Sequence, residues 1–398
     1  MFNSPMKASA IPDQSAKALV QFGGQGGRYF EELKTNLAAS RAVESLLMRA
    51  MEPLMDQATR DDIRGSGLLS RPLDVLAWFE KDCCPTPEVL ASSLVSHPLI
   101  FLTQASQIIR AREQGLPISS AQAAIGATGH SQGILAATLL AQDLDGRDFE
   151  DAAIGYATWL LRQGFRTQQA FPARPLTSYQ LRHWEKHQEG RPSPMASLQG
   201  VSRAEIEQRL EDFNACMPED CQLYLSLVNG PDRIVLSGPV DSLIWFRGGL
   251  KGLPLRWRFL RVQAPLHSPY MASAVKLAVE DIAEAGLSLD ASKLAIPVLR
   301  CRAGEDLRTS DNPVEDLVRD MILFPVDWPA VCHQIEALAP RVLLDLGPDI
   351  QTSTLSRENL QGSRIQAVSV NIPEENRRFF SQSRQILDAR LALEASGF

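Results

Sequence analysis

The sequence predicts an α/β fold in which a large domain with a parallel sheet is interrupted by a small subdomain of different rhythm. Three observations carry this expectation. Short apolar strands and longer helix-forming stretches alternate towards both ends of the chain, the pattern of a sheet with crossover helices. Between them, residues 193–262 run strand, helix, strand, strand, helix, strand. The glycines of Gly126-Ala127-Thr128-Gly129-His130-Ser131-Gln132-Gly133 mark a sharp turn between a strand and a helix.

Residues 1–17 are mixed and polar and read as a flexible leader; no apolar stretch follows the early lysine, so a secretory signal is not expected. Ala18-Leu19-Val20-Gln21-Phe22 reads as a strand that empties into Gly23-Gly24-Gln25-Gly26-Gly27. Such a loop can cradle a phosphate, but this one lacks both the G-x-G-x-x-G spacing and the lysine of a P-loop. Its backbone amides could instead approach a reacting carbonyl, with Gln25 at the centre. Helices are expected over residues 29–54 and 90–112, with prolines breaking the pattern between them. His97, inside the second helix, reads as a satisfied core histidine, since no motif surrounds it.

Strand character over residues 121–125 and a proline-free helix former over residues 134–141 frame the Gly-flanked turn. This is the context of a G-x-S-x-G nucleophile elbow, as in α/β-hydrolase-like domains. Glycine at 129 and 133 lets the flanking backbones pass close together. Ser131 would then project its hydroxyl, and the Gln132 amide would face a developing oxyanion. Alone, the pattern also suits a serine N-cap in a Gly-rich turn; the flanking strand and helix favour a nucleophile. A helix is expected over residues 148–165 and a polar, proline-bearing linker over 171–194.

Strands at residues 195–198, 223–228, 233–237 and 257–262, with helices at 203–214 and 240–250, follow the ferredoxin-like order. The expected division is therefore a leader (1–17), the large subdomain in two parts (18–192 and 263–398) and the insert (193–262). The chain returns to the large domain through Gln263-Ala264-Pro265-Leu266-His267-Ser268-Pro269, a proline-bracketed loop opening a helix. His267 is the candidate base, although its spacing equally suits a loop histidine that caps the next helix. His130 points away from Ser131 across the turn, and His183, His187 and His333 are expected to be solvated. Strand and helix alternate again after residue 296.

Composition excludes several classes. Six cysteines without a C-x-x-C pattern argue for reduced thiols and against a metal site or disulfide framework, as expected of a cytoplasmic protein. A net charge of -7 without a Lys/Arg cluster argues against nucleic acid. The most apolar window, residues 90–109, is interrupted by His97 and Pro98, so no membrane span is expected.

Phe22-Gly23-Gly24-Gln25-Gly26, the residues 126–133 turn, Ser226-Leu227-Val228-Asn229-Gly230-Pro231, Val235-Leu236-Ser237-Gly238-Pro239, Ala264-Pro265-Leu266-His267-Ser268 and Leu346-Gly347-Pro348 together resemble the acyl carrier protein transacylases. The likeness extends from about residue 18 to 350. It is nearest to the starter-unit transacylase domain of fungal non-reducing polyketide synthases and to the acetyltransferase domain of the fungal fatty acid synthase beta subunit. The resemblance implies Ser131 as acyl-carrying nucleophile, His267 as general acid/base, and the amides of Gln25 and Gln132 as oxyanion hole. It also implies that the carbonyl of Phe324 orients the histidine. No cofactor is implied; acyl-CoA or an acyl-carrier thioester would be substrate. Acyl carrier protein would be the partner, alongside an upstream reducing synthase or other megasynthase domains. Malonyl-loading relatives place an arginine before a glycine in the helix after the elbow; here Gln163-Gly164 matches, flanked by Arg162 and Arg166. A neutral amide cannot make the bidentate contact to a free carboxylate, which implies an acetyl, hexanoyl or longer reduced starter rather than malonyl. The alternatives are a fatty acid synthase acetyltransferase, a malonyl transacylase, an esterase or an inactive docking domain.

Overall fold

The computed structural model describes residues 17–69, 72–80, 83–116, 118, 124–172 and 174–377. The expected leader therefore lies outside the described residues but for Lys17, as do the first three residues of the strand expected at 121–125.

A five-stranded, all-parallel sheet has the order β10-β9-β1-β2-β7, with β1 at Ala18–Phe22, β2 at Ala124–Gly129, β7 at Val298–Leu299, β9 at Val342–Asp345 and β10 at Gln366–Ser369. Helices cover both faces, so β1 is buried throughout, as a parallel strand must be. The pairing of Phe22 with Gly129 brings the C-terminal ends of β1 and β2 level. The Gly-rich loop and the Ser131 turn therefore leave the sheet side by side, at the end where open α/β sheets bind ligands.

The second sheet has the order β6-β3-β5-β4-β8. Its four antiparallel strands, β3 (Met195–Gln199), β4 (Tyr224–Gly230), β5 (Arg233–Ser237) and β6 (Arg256–Phe259), with helices Arg203–Ala215 and Val240–Gly249, make the ferredoxin-like subdomain. A separate apolar cluster around Leu198, Ile206, Leu236, Leu243 and Trp257 fills it. The fifth strand, β8 (Val326–Asp327), comes from beyond the insert and pairs in parallel with Leu227 and Val228 of β4. That pairing stitches the segment following Phe324 to the small sheet.

Three expectations are corrected. The helix expected over residues 29–54 is two helices, Tyr29–Ala39 and Arg41–Ala58, broken where the Ser40 side chain caps the second by accepting from Val43 N–H. The helix expected over residues 90–112 is likewise Pro87–Ala91 and Ser93–Glu113, broken at Ser92, whose hydroxyl donates to Gln168. Within the linker expected at 171–194 lies the helix Ser178–His187, started by a reciprocal Thr177–Gln180 capping box and ended by Gln188 in the left-handed region.

Candidate active site

Ser131 sits at the top of the turn between β2 and helix Gly133–Ala141 with φ of 55°, a left-handed conformation that is strained for serine. The surrounding packing imposes it. A Cβ on Gly129 would fall 1.9 Å from the Gly133 carbonyl carbon, and one on Gly133 would fall 2.6 Å from the carbonyl oxygens of Phe22 and Gly23. The turn therefore closes only with glycine at both places.

The structure brings Ser131, His267 and Phe324 together. Ser131 Oγ is 2.7 Å from His267 Nε2, and His267 Nδ1 is 2.7 Å from the Phe324 carbonyl oxygen. A carbonyl can only accept, so Nδ1 carries the ring proton and donates it to Phe324. The lone pair of Nε2 then faces the serine hydroxyl, which donates. His267 is itself held at φ of 57°, with its N–H donated to the Ile322 carbonyl at 2.7 Å. Burial pushes its imidazole down from 6.5 to about 4, against the opposing pull of the Phe324 carbonyl, so at neutral pH the ring is uncharged.

The Gly-rich loop lies against this pair. Gly23 N–H donates to Gly347 O at 2.8 Å, His130 N–H donates to Phe22 O at 2.9 Å, and a Cβ on Gly24 would fall 3.2 Å from that of Ser131. Side chains pin the two amides expected to face an oxyanion. Gln25 Nε2 donates to Ser96 Oγ at 2.7 Å, and Gln132 Nε2 donates to the His97 carbonyl at 2.5 Å. The backbone N–H groups of Gln25 and Gln132 themselves have no acceptor among the described residues. The Cys301 thiol, buried behind Ser131, donates to the Asp320 carbonyl, and burial raises its pKa well above that of a free thiol. It is a packing group rather than a reactive thiol.

The other histidines divide. His130 turns away, its Nε2 2.7 Å from Asn229 Oδ1 and its ring tilted over Trp328. His187 and His333 are exposed, but His183 is packed between His187 and Glu189, which corrects the expectation that it is solvated. His97 is buried as expected, yet it adjoins the site: its carbonyl holds Gln132, and its Nδ1 is 2.6 Å from Gln163 Oε1. No motif surrounds it because the contact is between two helices remote in sequence. A Cβ on Gly164 would come 2.2 Å from Ser93 O, so the helices meet backbone to backbone at this point. Gln163 is fully buried. Arg162 and Arg166 both bind Asp281, each through Nε at 2.8 Å, and so turn away from Gln163. Asp281 went unremarked in the sequence because a lone aspartate in a helix carries no signal.

A cleft of about 980 Å3 lies apart from Ser131 and His267, neither of which lines it, and reaches the loop that carries His267 only at Gln263. Phe171, Leu260, Val262 and Tyr270 line it, with Arg258 and Arg261. Among the described residues, no cluster of His, Cys, Asp and Glu is placed to hold a metal, and no helix is long and apolar enough to cross a membrane.

In fold the chain is similar to a malonyl CoA-acyl carrier protein transacylase from Clostridium perfringens, with a TM-score of 0.68 at 17% identity over 94% of this chain and 99% of the other. A malonyl-transacylase solved in complex with its type II PKS acyl-carrier protein gives a TM-score of 0.66 at 18% identity, over 89% and 96% of the two chains. In sequence the chain is 30% identical to the fatty acid synthase beta subunit TOXC of Cochliobolus carbonum, over 87% of this chain and 18% of the relative. It is also 30% identical to the fatty acid synthase beta subunit aflB of Emericella nidulans, over 88% and 17%. The chain thus spans about a fifth of the length of these curated relatives. The family model described as starter unit:ACP transacylase in aflatoxin biosynthesis matches residues 20–267, a stretch that runs from the strand before the Gly-rich loop to His267 itself. This protein is therefore a member of the starter unit:ACP transacylase family.

Proposed function

We propose that this chain moves a monocarboxylic starter acyl group from a thioester donor to the phosphopantetheine thiol of an acyl carrier protein, through an ester on Ser131. The observation that carries the reading is the relay Ser131 Oγ, His267 Nε2, His267 Nδ1 and Phe324 O, with both contacts at 2.7 Å. As Ser131 attacks the thioester carbonyl, Nε2 takes the hydroxyl proton. The N–H groups of Gln25 and Gln132 receive the oxyanion, and the Phe324 carbonyl stabilises the imidazolium that forms. Collapse expels the donor thiol, which takes the proton from His267. A carrier thiol then repeats the steps in reverse order, so the kinetics are ping-pong.

A main-chain carbonyl replaces the carboxylate of a hydrolase triad, which fits a transferase whose intermediate must outlast its exposure to water. Gln163 in place of an arginine, with Arg162 and Arg166 engaged by Asp281, supports acetyl, hexanoyl or a longer reduced chain over malonyl. The family model favours the starter-unit role in polyketide synthesis, and the similarity to fatty acid synthase beta subunits supports the acetyltransferase of such a synthase as second reading. The test offers acetyl-, hexanoyl-, octanoyl- and malonyl-CoA with a holo carrier protein and follows acyl-carrier formation by mass. Transfer of a monocarboxylic acyl group, abolished in Ser131→Ala, is expected; predominant malonyl transfer contradicts the reading.

A further inference from the structure

We infer that the His97–Gln163 wall selects an uncharged acyl chain bearing a hydroxyl or keto oxygen, with Gln163 as the contacting residue and His97 as the residue that positions it. The inference rests on the transacylase reading above.

Of the twelve buried side-chain polar atoms without a partner among the described residues, four lie together at the start of helix Ser93–Glu113. Gln25 Oε1, Ser93 Oγ, Gln132 Oε1 and Gln163 Nε2 are all buried and unpaired among the described residues. Each belongs to a residue on that helix or held against it. Gln25 is bonded to Ser96, Gln132 to the His97 carbonyl, Gln163 to the His97 ring, and Gly164 presses on Ser93. Unmade groups of this kind also occur elsewhere in the chain, but four around the first turns of one helix call for a partner that the chain does not supply. Two of the four residues, Gln25 and Gln132, carry the backbone amides assigned to the acyl carbonyl. The unpaired atoms therefore adjoin the place where an acyl chain on Ser131 begins.

The chemistry of the set narrows the partner. Gln163 and Ser93 offer donors, and Gln132, Gln25 and Ser93 offer acceptors. A hydroxyl satisfies both kinds, and a keto oxygen takes the donors. A carboxylate would bring charge to a wall of acceptor oxygens, since Arg162 and Arg166 are drawn to Asp281 and the remaining Nη1 of Arg162 lies on the side of Asp62, 3.9 Å from its Oδ2. A plain alkyl chain would leave every atom of the set unmade, and a site with unpaired polar groups discriminates against a ligand lacking their partner. His97 acts through Gln163: its ring N–H takes Gln163 Oε1, which fixes the amide with Nε2 free.

The test uses N-acetylcysteamine thioesters of octanoate, of octanoates with a hydroxyl or keto oxygen at carbon 3, 5 or 7, and of malonate. Initial rates of Ser131 acylation are read by intact mass in the unaltered protein and in Gln163→Leu, His97→Leu and His97→Gln. In the unaltered protein at least one oxygenated ester is expected to exceed octanoyl by about tenfold, the effect of one added hydrogen bond at a buried polar site. Gln163→Leu and His97→Leu should bring that ratio to about one, while His97→Gln, which retains a donor, keeps most of it. Ratios near one at every oxygen position in the unaltered protein overturn the inference, whether or not the variants fold. A preference that survives Gln163→Leu also overturns it. Acylation of Ser131 with no oxygen preference leaves the transacylase reading standing; acylation by no thioester removes that reading and this inference with it.

Discussion

The imidazole of His267 should titrate far below an ordinary histidine, and acylation should report it. Burial lowers its pKa from 6.5 to about 4. That shift corresponds to about 3 kcal/mol of extra cost for charging the ring in the free protein. The perturbation is pH, varied from about 8 to 4, and the assay is single-turnover acylation of Ser131 by a short thioester at sub-saturating concentration. That second-order rate reports the ionisation of the free enzyme. At about pH 5.5 an unperturbed imidazole would be protonated roughly ten to one and the rate would fall about tenfold. With the lowered value only about 3% of rings carry the proton, and the rate should be nearly unchanged. An acid limb centred at 6 or above would refute the reasoning. The fold must be monitored alongside, because buried groups push its response in both directions. In the window between about 4 and 6.5 the unfolded chain binds more protons than the native one at His267 and His97, both lowered to about 4. The contribution of the two histidines therefore falls as pH is lowered through that window and is fully present above 6.5, whereas burial raises Glu32 to about 7 and Asp320 and Asp345 to about 6, and these carboxyls contribute in the opposite sense.

Gly133→Ala places a Cβ 2.6 Å from two backbone carbonyl oxygens that no flexible side chain can relieve; a loss of about 1–3 kcal/mol in urea unfolding is expected, with slower acylation, and an unchanged midpoint would contradict it. Asp281→Ala strands Arg162, whose side chain is only 9% exposed, and should cost about 3–5 kcal/mol by the same measurement. A cost below about 1 kcal/mol would show that the pair does not hold helices Gly146–Ala170 and Ala272–Glu284 together. Phe324→Ala keeps the carbonyl that receives His267 Nδ1 and should retain turnover within about tenfold, whereas His267→Ala should lose several powers of ten in the same transfer assay.

What could be read in advance was what is local. The elbow lies within eight consecutive residues, and Gly129 is forced by the backbone of Gly133 and Ile134 a few positions on, so Ser131 was identifiable from spacing, although Gly133 itself answers to Phe22 and Gly23 far away in sequence. The ferredoxin-like strands alternate regularly and end in turn residues, which made them visible too. Ser40 and Ser92 were harder, because a helix break made by a single serine leaves apolar periodicity on both sides intact. Helix Ser178–His187 was masked by the prolines around it, although Thr177 and Gln180 carried its capping signature. Strand β8 is two residues long and exists only through its pairing with Leu227 and Val228. The His97–Gln163 contact is likewise tertiary: two polar residues on separate helices have no sequence pattern until Gly164 lets the backbones meet.

The central claim is that Ser131 holds the acyl group in transit. Its most direct measurement is proteolytic mapping by mass spectrometry after brief exposure to a monocarboxylic acyl thioester, quenched in acid to preserve an ester. The account predicts one added acyl group on the peptide containing Ser131, absent in Ser131→Ala and discharged when a holo carrier protein is supplied before the quench. A stable acyl group on any other side chain, or transfer that proceeds undiminished in Ser131→Ala, would contradict it.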